Sequence, residues 1–318
     1  PEVTAEMTKA QQENQREIIV SDLIDLFRRQ SENWGDQFGR VLETLLRAHI
    51  DLNIHRGEGA TLLDVFECVV REDALRDLIN RTDDDVVRQQ LVRVQDMSQH
   101  ELEPLQRRLN DFVMNETVRQ VIAAEESGVD FRRALDDGKI VLVDIQKGEV
   151  GDTVAKLVGS IVITKIWAAA QSRITLPEHE RRPFYLYVDE LQNFAGEGSN
   201  FTKILSEARE YGLGCCLATQ YLEQLATEMR RAVANNCRTK IVFNPVGSDD
   251  MSRIASMLQG VDKHQLSRLG KFRAVMQAPA EKAHQQAVVF DTYPPWTAEY
   301  DGIKRLKEQA TAGTTGPA

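Results

Sequence analysis

The chain has 318 residues, 42% of them hydrophobic and 28% charged, which leaves room for two domains of ordinary size around a sizeable core and places it among soluble globular proteins. A formal net charge of −10 excludes a surface coated in basic groups for nucleic acid, while leaving room for a local basic groove or pore. Four cysteines, Cys68, Cys215, Cys216 and Cys237, show neither paired CxxC spacing nor histidines placed to complete a zinc site, and read as buried thiols of a reducing, cytosolic compartment.

From about residue 17 to 137 apolar residues recur at three- and four-residue intervals, as in "REIIVSDLIDLFRRQ", "FGRVLETLLRAHIDL" and "TLLDVFECVV", which predicts helices throughout. Thr61 with Asp64 and Ser98 with Glu101 are capping-box pairs that mark helix starts near 62 and 99. The run "RTDDDVVRQQ" (81–90) reads as a solvated helix start. The pairs Arg107–Arg108 and Arg132–Arg133, flanked by acids, read as helix surface before DNA contacts. "DFRRALDDG" predicts a helix stopped at Gly138, a residue that takes the left-handed conformation at little cost.

After Gly138 apolar strands alternate with helices. The strands are "KIVLVDI" (139–145), "FYLYVD" (184–189), "LGCCLATQ" (213–220) and "TKIVFN" (239–244); the helices run over 152–172, 200–211 and on to about 236. Continuous apolar strands separated by helices predict an α/β domain with a mostly parallel sheet covered on both faces. "FRAVMQA" (272–278) and "QAVVFD" (286–291) predict an antiparallel hairpin at its edge, and 296–318 a mobile tail. The longest apolar stretch, "LVGSIVITKIWAAA" (157–170), contains Lys165 and is too short for a bilayer; nothing resembles a signal peptide. Trp34 and Trp167 are expected to fill core or interdomain gaps, and Trp296 to pack the tail down. The six histidines are scattered without ligand spacing, and no G-x-S-x-G elbow follows a strand.

Ligands of an open parallel sheet bind beyond the carboxyl ends of its strands. There "FYLYVDELQNF" places Asp189 and Glu190, the Walker B arrangement in which the first carboxylate holds magnesium and the second polarises the attacking water. The bland alternative is a solvated strand end or a helix cap. The neighbouring strand ends in Thr219 and Gln220, where an amide could contact both the γ-phosphate and that water. Arg209, near the end of the intervening helix, could reach a neighbouring subunit's nucleotide as a finger, or could be an exposed helix charge.

Taken together, "RRPFYLYVDELQNF", "ILSEAREYGLGCCLATQYLEQL", "GKIVLVDIQKGEVG" and "LVGSIVITKIW" resemble the TraG/TraD-type conjugative coupling proteins of type IV secretion, in the HerA/FtsK superfamily of RecA-like motor ATPases, over about residues 17 to 292. The resemblance implies a RecA-like ATPase core with an inserted all-α domain. It assigns magnesium to Asp189, water activation to Glu190, an arginine acting across a subunit interface to Arg209 and γ-phosphate sensing to Gln220, with ATP and Mg2+ as cofactors. It further implies an ATP-driven DNA or nucleoprotein translocase, assembled as a homo-hexamer. Its partners would be DNA of either strandedness, relaxase or accessory transfer proteins and secretion-channel components, and it would work at the cytoplasmic face of the membrane.

One departure stands out: no Gly-Lys-Ser/Thr P-loop occurs, the nearest strings being "RGEGATLL" (56–63) and "KGEVGDTVAK" (147–156). In the family that loop precedes the helical region. The chain is therefore expected to be a carboxyl-terminal part, unable to hydrolyse ATP alone, with any membrane anchor upstream. The expected organisation is a motor-domain stub (1–19), an all-helical domain (20–137), the ATPase core (138–295) and a tail (296–318). A HerA-like or secretion-assembly ATPase and a non-catalytic substrate-docking adaptor are the competing readings.

Overall fold

Side-chain caps fix where two of the early helices start. Thr61 opens its helix by accepting from Leu63 N at 3.2 Å, while the Asp64 carboxylate accepts from Thr61 N at 2.6 Å; Ser98 and Glu101 repeat the arrangement, with Ser98 N donating to Glu101 Oε2 at 2.9 Å. The computed structural model describes residues 8–29, 35–124, 128–195, 201–245, 247–279 and 286–294. Trp34, Trp296, the tail 296–318 and the Arg108 side chain lie outside the described residues.

Ten helices precede the first strand among the described residues: α1 (Lys9–Arg29), α2 (Asp36–Arg56), α3 (Leu62–Val70), α4 (Glu72–Arg81), α5 (Asp85–Gln95), α6 (Gln99–Val113), α7 (Glu116–Ile122), α8 (Phe131–Asp137), α9 (Lys147–Val150) and α10 (Asp152–Gln171). The Asp84 carboxylate caps α5, and α8 ends at Gly138 with φ 64°, as its sequence predicts. Arg107, Arg132 and Arg133 each pair with an acid one turn away on their own helix, which makes them helix surface.

Two units are described separately, residues 1–237 and 238–318. In the first, β1 (Phe184–Val188) and β2 (Leu213–Leu217) pair in parallel, Val188 opposite Leu217, with α11 (Phe201–Glu207) and a 3-10 turn at 208–211 between them and α12 (Thr227–Asn236) after them. α10 carries two cores on one rod. Val154 and Leu157 pack with Leu42, Leu45 and Leu91 of the helical layer; Ile163, Ile166 and Trp167 pack with Leu186, Val188 and Ile204 around the strands. Val154–Thr175 is long and apolar enough to cross a membrane, contrary to the sequence expectation, but 67% of that window is buried against the rest of the protein.

The sheet is smaller than the alternation of strands and helices predicts. Residues 139–146 form no strand: Ile140 is 89% and Leu142 77% exposed, and only Val141 packs on the core. A strand needs a partner for its amides as well as apolar side chains, and none lies alongside among the described residues. In the second unit β3 (Lys240–Val242) does not extend the parallel pair but lies antiparallel to β4 (Arg273–Gln277), which pairs antiparallel with β5 (Val288–Asp291) as predicted. That unit also holds α13 (Ser248–Met257) and α14 (Lys263–Ser267) around Leu258, Leu266, Leu269 and Val275. The chain is mostly helical with small sheets: an α/β fold with an all-α part.

Candidate functional site at the tips of two parallel strands

The parallel register carries β1 and β2 past their last residues together. Ala218 N donates to Val188 O at 2.9 Å, and Leu191 N donates back to Ala218 O at 2.8 Å, so the segments 189–190 and 219–220 leave the sheet side by side. Glu190 makes the turn in the left-handed region (φ 52°, ψ 51°), a conformation that costs a non-glycine residue roughly 1–2 kcal/mol. Strain of that kind persists only where surrounding bonds over-determine it.

Those bonds are present. Gln220 Nε2 donates to Glu190 Oε1 at 2.6 Å, and the Gln192 amide donates to Glu190 Oε2. Because an ionised carboxylate only accepts, the Gln192 NH2 must face Glu190 and its oxygen must face away. That oxygen accepts from the Thr219 hydroxyl at 2.9 Å, shorter than the 3.2 Å from the same hydroxyl to Tyr221 O. Asp189 is exposed, and its Oδ1 accepts from Glu190 N at 2.9 Å. Nearby, Lys147 Nζ donates to Asn193 Oδ1 at 2.6 Å and pairs with Asp152 at 3.0 Å, tying α9 to the turn that follows the acids.

Thus Glu190 and Gln220, read from the sequence as partners, are brought into contact, and Asp189 adjoins them. Arg209 is not: it lies exposed in the 208–211 turn that precedes β2, at the opposite end of the strands. Its side chain makes no hydrogen bond or ion pair among the described residues. Below it the turn is held by two arginines that the sequence did not single out. Arg173, fully buried, donates to Tyr211 O at 3.1 Å and Arg182 O at 2.6 Å; Arg181 donates to Glu210 O and, at 2.9 Å, to Leu176 O. Burial pushes the Arg173 guanidinium below its usual pKa, with the Asp136 carboxylate opposing.

No group of three or more His, Cys, Asp or Glu that could hold a metal occurs among the described residues. The donors at the strand tips are instead one exposed carboxylate, Asp189, and the Thr219 hydroxyl. That set suits Mg2+ in the way of nucleotide sites, where one or two carboxylates share the ion with phosphate oxygens and waters. Of the four cysteines expected to be buried only Cys68 is; Cys215 and Cys237 are half-buried and Cys216 is exposed, and burial pushes the Cys68 and Cys215 thiols up to about 12, out of reactive range.

Comparison with known proteins bears on this segment. Residues 183–278, which contain all four candidate residues, match the family described as the TraM recognition site of TraD and TraG. Over that segment the chain is similar to TraD and TraG. Solved structures similar in fold are the bacterial conjugative coupling protein TrwB lacking 70 amino-terminal residues, in an unbound form (TM-score 0.62, 13% identity, covering 90% of this chain and 69% of that one), and TrwB in complex with ADP and Mg2+ (TM-score 0.60, 13% identity, covering 90% and 70%). A third is TrwB with a non-hydrolysable ATP analogue (TM-score 0.62, 12% identity, covering 90% and 70%). No curated protein matches the chain. At such identities the TrwB likeness establishes the fold, and the matched segment contains both strand tips.

Proposed function

We propose that the chain carries the hydrolytic half of a conjugative coupling ATPase, a RecA-like motor that drives DNA or nucleoprotein toward a type IV secretion channel. The observation that carries the reading is the 2.6 Å contact between Gln220 and Glu190 at adjoining strand tips. Asp189 would hold Mg2+ together with phosphate oxygens, and the ion would neutralise charge on the transferred phosphoryl group. Glu190 would accept a proton from the attacking water, and Gln220 would sense the γ-phosphate. Arg209, unpaired and at the far end of the strands, would serve a nucleotide bound by a neighbouring subunit, which requires a ring, on this reading a homo-hexamer. The β- and γ-phosphates also need a Gly-Lys-Ser/Thr loop. These 318 residues do not contain one, so the chain by itself is proposed not to hydrolyse ATP.

In the complete polypeptide, Glu190→Gln and Arg209→Ala should each abolish DNA-stimulated ATP hydrolysis, the arginine by about 10³-fold or more. Subunits carrying one variant, mixed with subunits carrying the other, should recover part of the rate, since each supplies what its neighbour lacks. Full activity in both variants overturns the reading.

A second role is favoured by the family description of residues 183–278 as a recognition site for TraM in TraD and TraG: docking of an accessory transfer protein or relaxase. Calorimetric titration of this chain with the accessory protein of its own transfer system tests that role, whatever the hydrolytic outcome.

A further inference from the structure

We propose that Gln192 and Thr219 are positioning residues for Glu190: together they form a fixed arm on one carboxylate oxygen, while Gln220 forms a releasable arm on the other. The inference rests on the hydrolytic reading of Glu190 and goes beyond it by separating the two amides.

Both glutamines donate to the same carboxylate, Gln220 to Oε1 and Gln192 to Oε2. A general base needs an open lone pair for the proton of water; with one amide on each oxygen a second lone pair remains on both, and it is most accessible on the side whose amide can move. The two arms are differently anchored. Gln192 is half-buried and tied at its other end by the Thr219 hydroxyl at 2.9 Å. Gln220 is exposed, and its side chain has no second partner among the described residues.

The Gln192 arm also closes a ring. From Glu190 it passes through the Gln192 amide to Thr219 at the tip of β2, then back through Ala218 N to Val188 O (2.9 Å) and Leu191 N to Ala218 O (2.8 Å). Such a ring over-determines the left-handed turn at Glu190 (φ 52°). Gln220 stands outside it. An anionic phosphate at the strand tips can therefore draw the Gln220 amide away and open both lone pairs of Oε1 while Oε2 stays held. The ligand chemistry expected to trigger release is the terminal phosphate of a nucleoside triphosphate, and a nucleoside diphosphate should leave both arms engaged.

The test uses Gln192→Leu, Thr219→Val and Thr219→Ser. In the complete polypeptide, Gln192→Leu should lower kcat about 10–100-fold with KM for ATP unchanged, the scale expected for groups that orient a reacting one. Thr219→Val should act in the same direction, and Thr219→Ser, which restores the hydroxyl, should recover the rate. Combined with Glu190→Gln, Gln192→Leu should add no further loss. A readout independent of hydrolysis is amide exchange in this chain: Gln192→Leu should speed exchange at Leu191 and Ala218 at least tenfold and leave Leu186 unchanged, whereas Gln220→Leu should not.

If Glu190→Gln is inactive but Gln192→Leu keeps wild-type kcat, or if its losses in kcat and KM rise together, the fixed arm is overturned and the hydrolytic reading stands. If Glu190→Gln hydrolyses normally, the hydrolytic reading falls. Exchange then decides the arm alone, and equal protection in Gln192→Leu and wild type overturns it.

Discussion

Replacing Arg173 by methionine should destabilise the strand unit by about 3 kcal/mol. The side chain is fully buried, and its guanidinium satisfies Tyr211 O and Arg182 O. Its Nε also lies 3.1 Å from Asp136 Oδ1, an ion pair without hydrogen-bond alignment. Methionine fills comparable space but leaves two part-buried carbonyls without the Arg173 donor, at about 1 kcal/mol each. The ion pair adds about 1 kcal/mol, the value of a partly exposed pair, because Asp136 is 34% exposed and can rehydrate. Trp167 is a local reporter, its ring edge-on to Tyr211 at 5.4 Å. In a background with Trp34 and Trp296 changed to phenylalanine, urea unfolding followed by Trp167 fluorescence should show the midpoint falling by about 1–2 M at unchanged slope. Arg173→Lys should fail to restore it, since one ammonium cannot reach two carbonyls and the carboxylate in the fork geometry of arginine. A midpoint within about 0.3 M of wild type would refute the argument.

His49 is buried, with Nδ1 2.8 Å from Leu45 O and Nε2 3.9 Å from Cys68 Sγ, and burial pushes its pKa below the usual value. Its neutral form is therefore the one the fold favours. The resulting stability is fully present above about pH 6.5 and is lost as pH falls below that toward the lower folded value. Thermal melts between pH 7.5 and 5 should show a decline that His49→Leu lessens; parallel curves would count against it. At Gly159 an added methyl would meet the Phe194 ring, four residues beyond the acid pair. Gly159→Ala should cost about 1–3 kcal/mol by overpacking, read by denaturation, and should disturb the 191–194 turn.

What the sequence made legible were features whose cause is local. The two capping boxes, the stop at Gly138 and the apolar runs of β1 and β2 each carry their signal within a few residues, and each lies where expected. The segment 139–145 has the same apolar content as β1, yet forms no strand, because apolar content does not report whether a pairing partner lies alongside. For β3 the ambiguity is one of direction: "TKIVFN" reads as a buried parallel strand, but Ile241 and Phe243 are more than half exposed and the strand runs antiparallel to β4. Arg173 left no trace, since nothing local separates a buried arginine from a solvated one at the end of an apolar helix.

The site divides along the same line. Asp189, Glu190 and Gln220 were readable because they end hydrophobic strands, and strand ends gather at one edge of a parallel pair whatever the rest of the fold does. Gln192 was not: it lies past the strand, inside a 3-10 turn, and faces Glu190 only because Glu190 adopts a left-handed backbone that no glycine or asparagine announces. The available clue was Thr219, a hydroxyl beside the selected amide and one strand across from a second glutamine. Polar residues that follow apolar runs in adjacent strands of a parallel pair should be read jointly, because register brings the two tips together even when the turns between them are irregular. By that argument the carboxylate at a strand tip is half of a site, and the residue two positions after it belongs with the residues at the neighbouring tip.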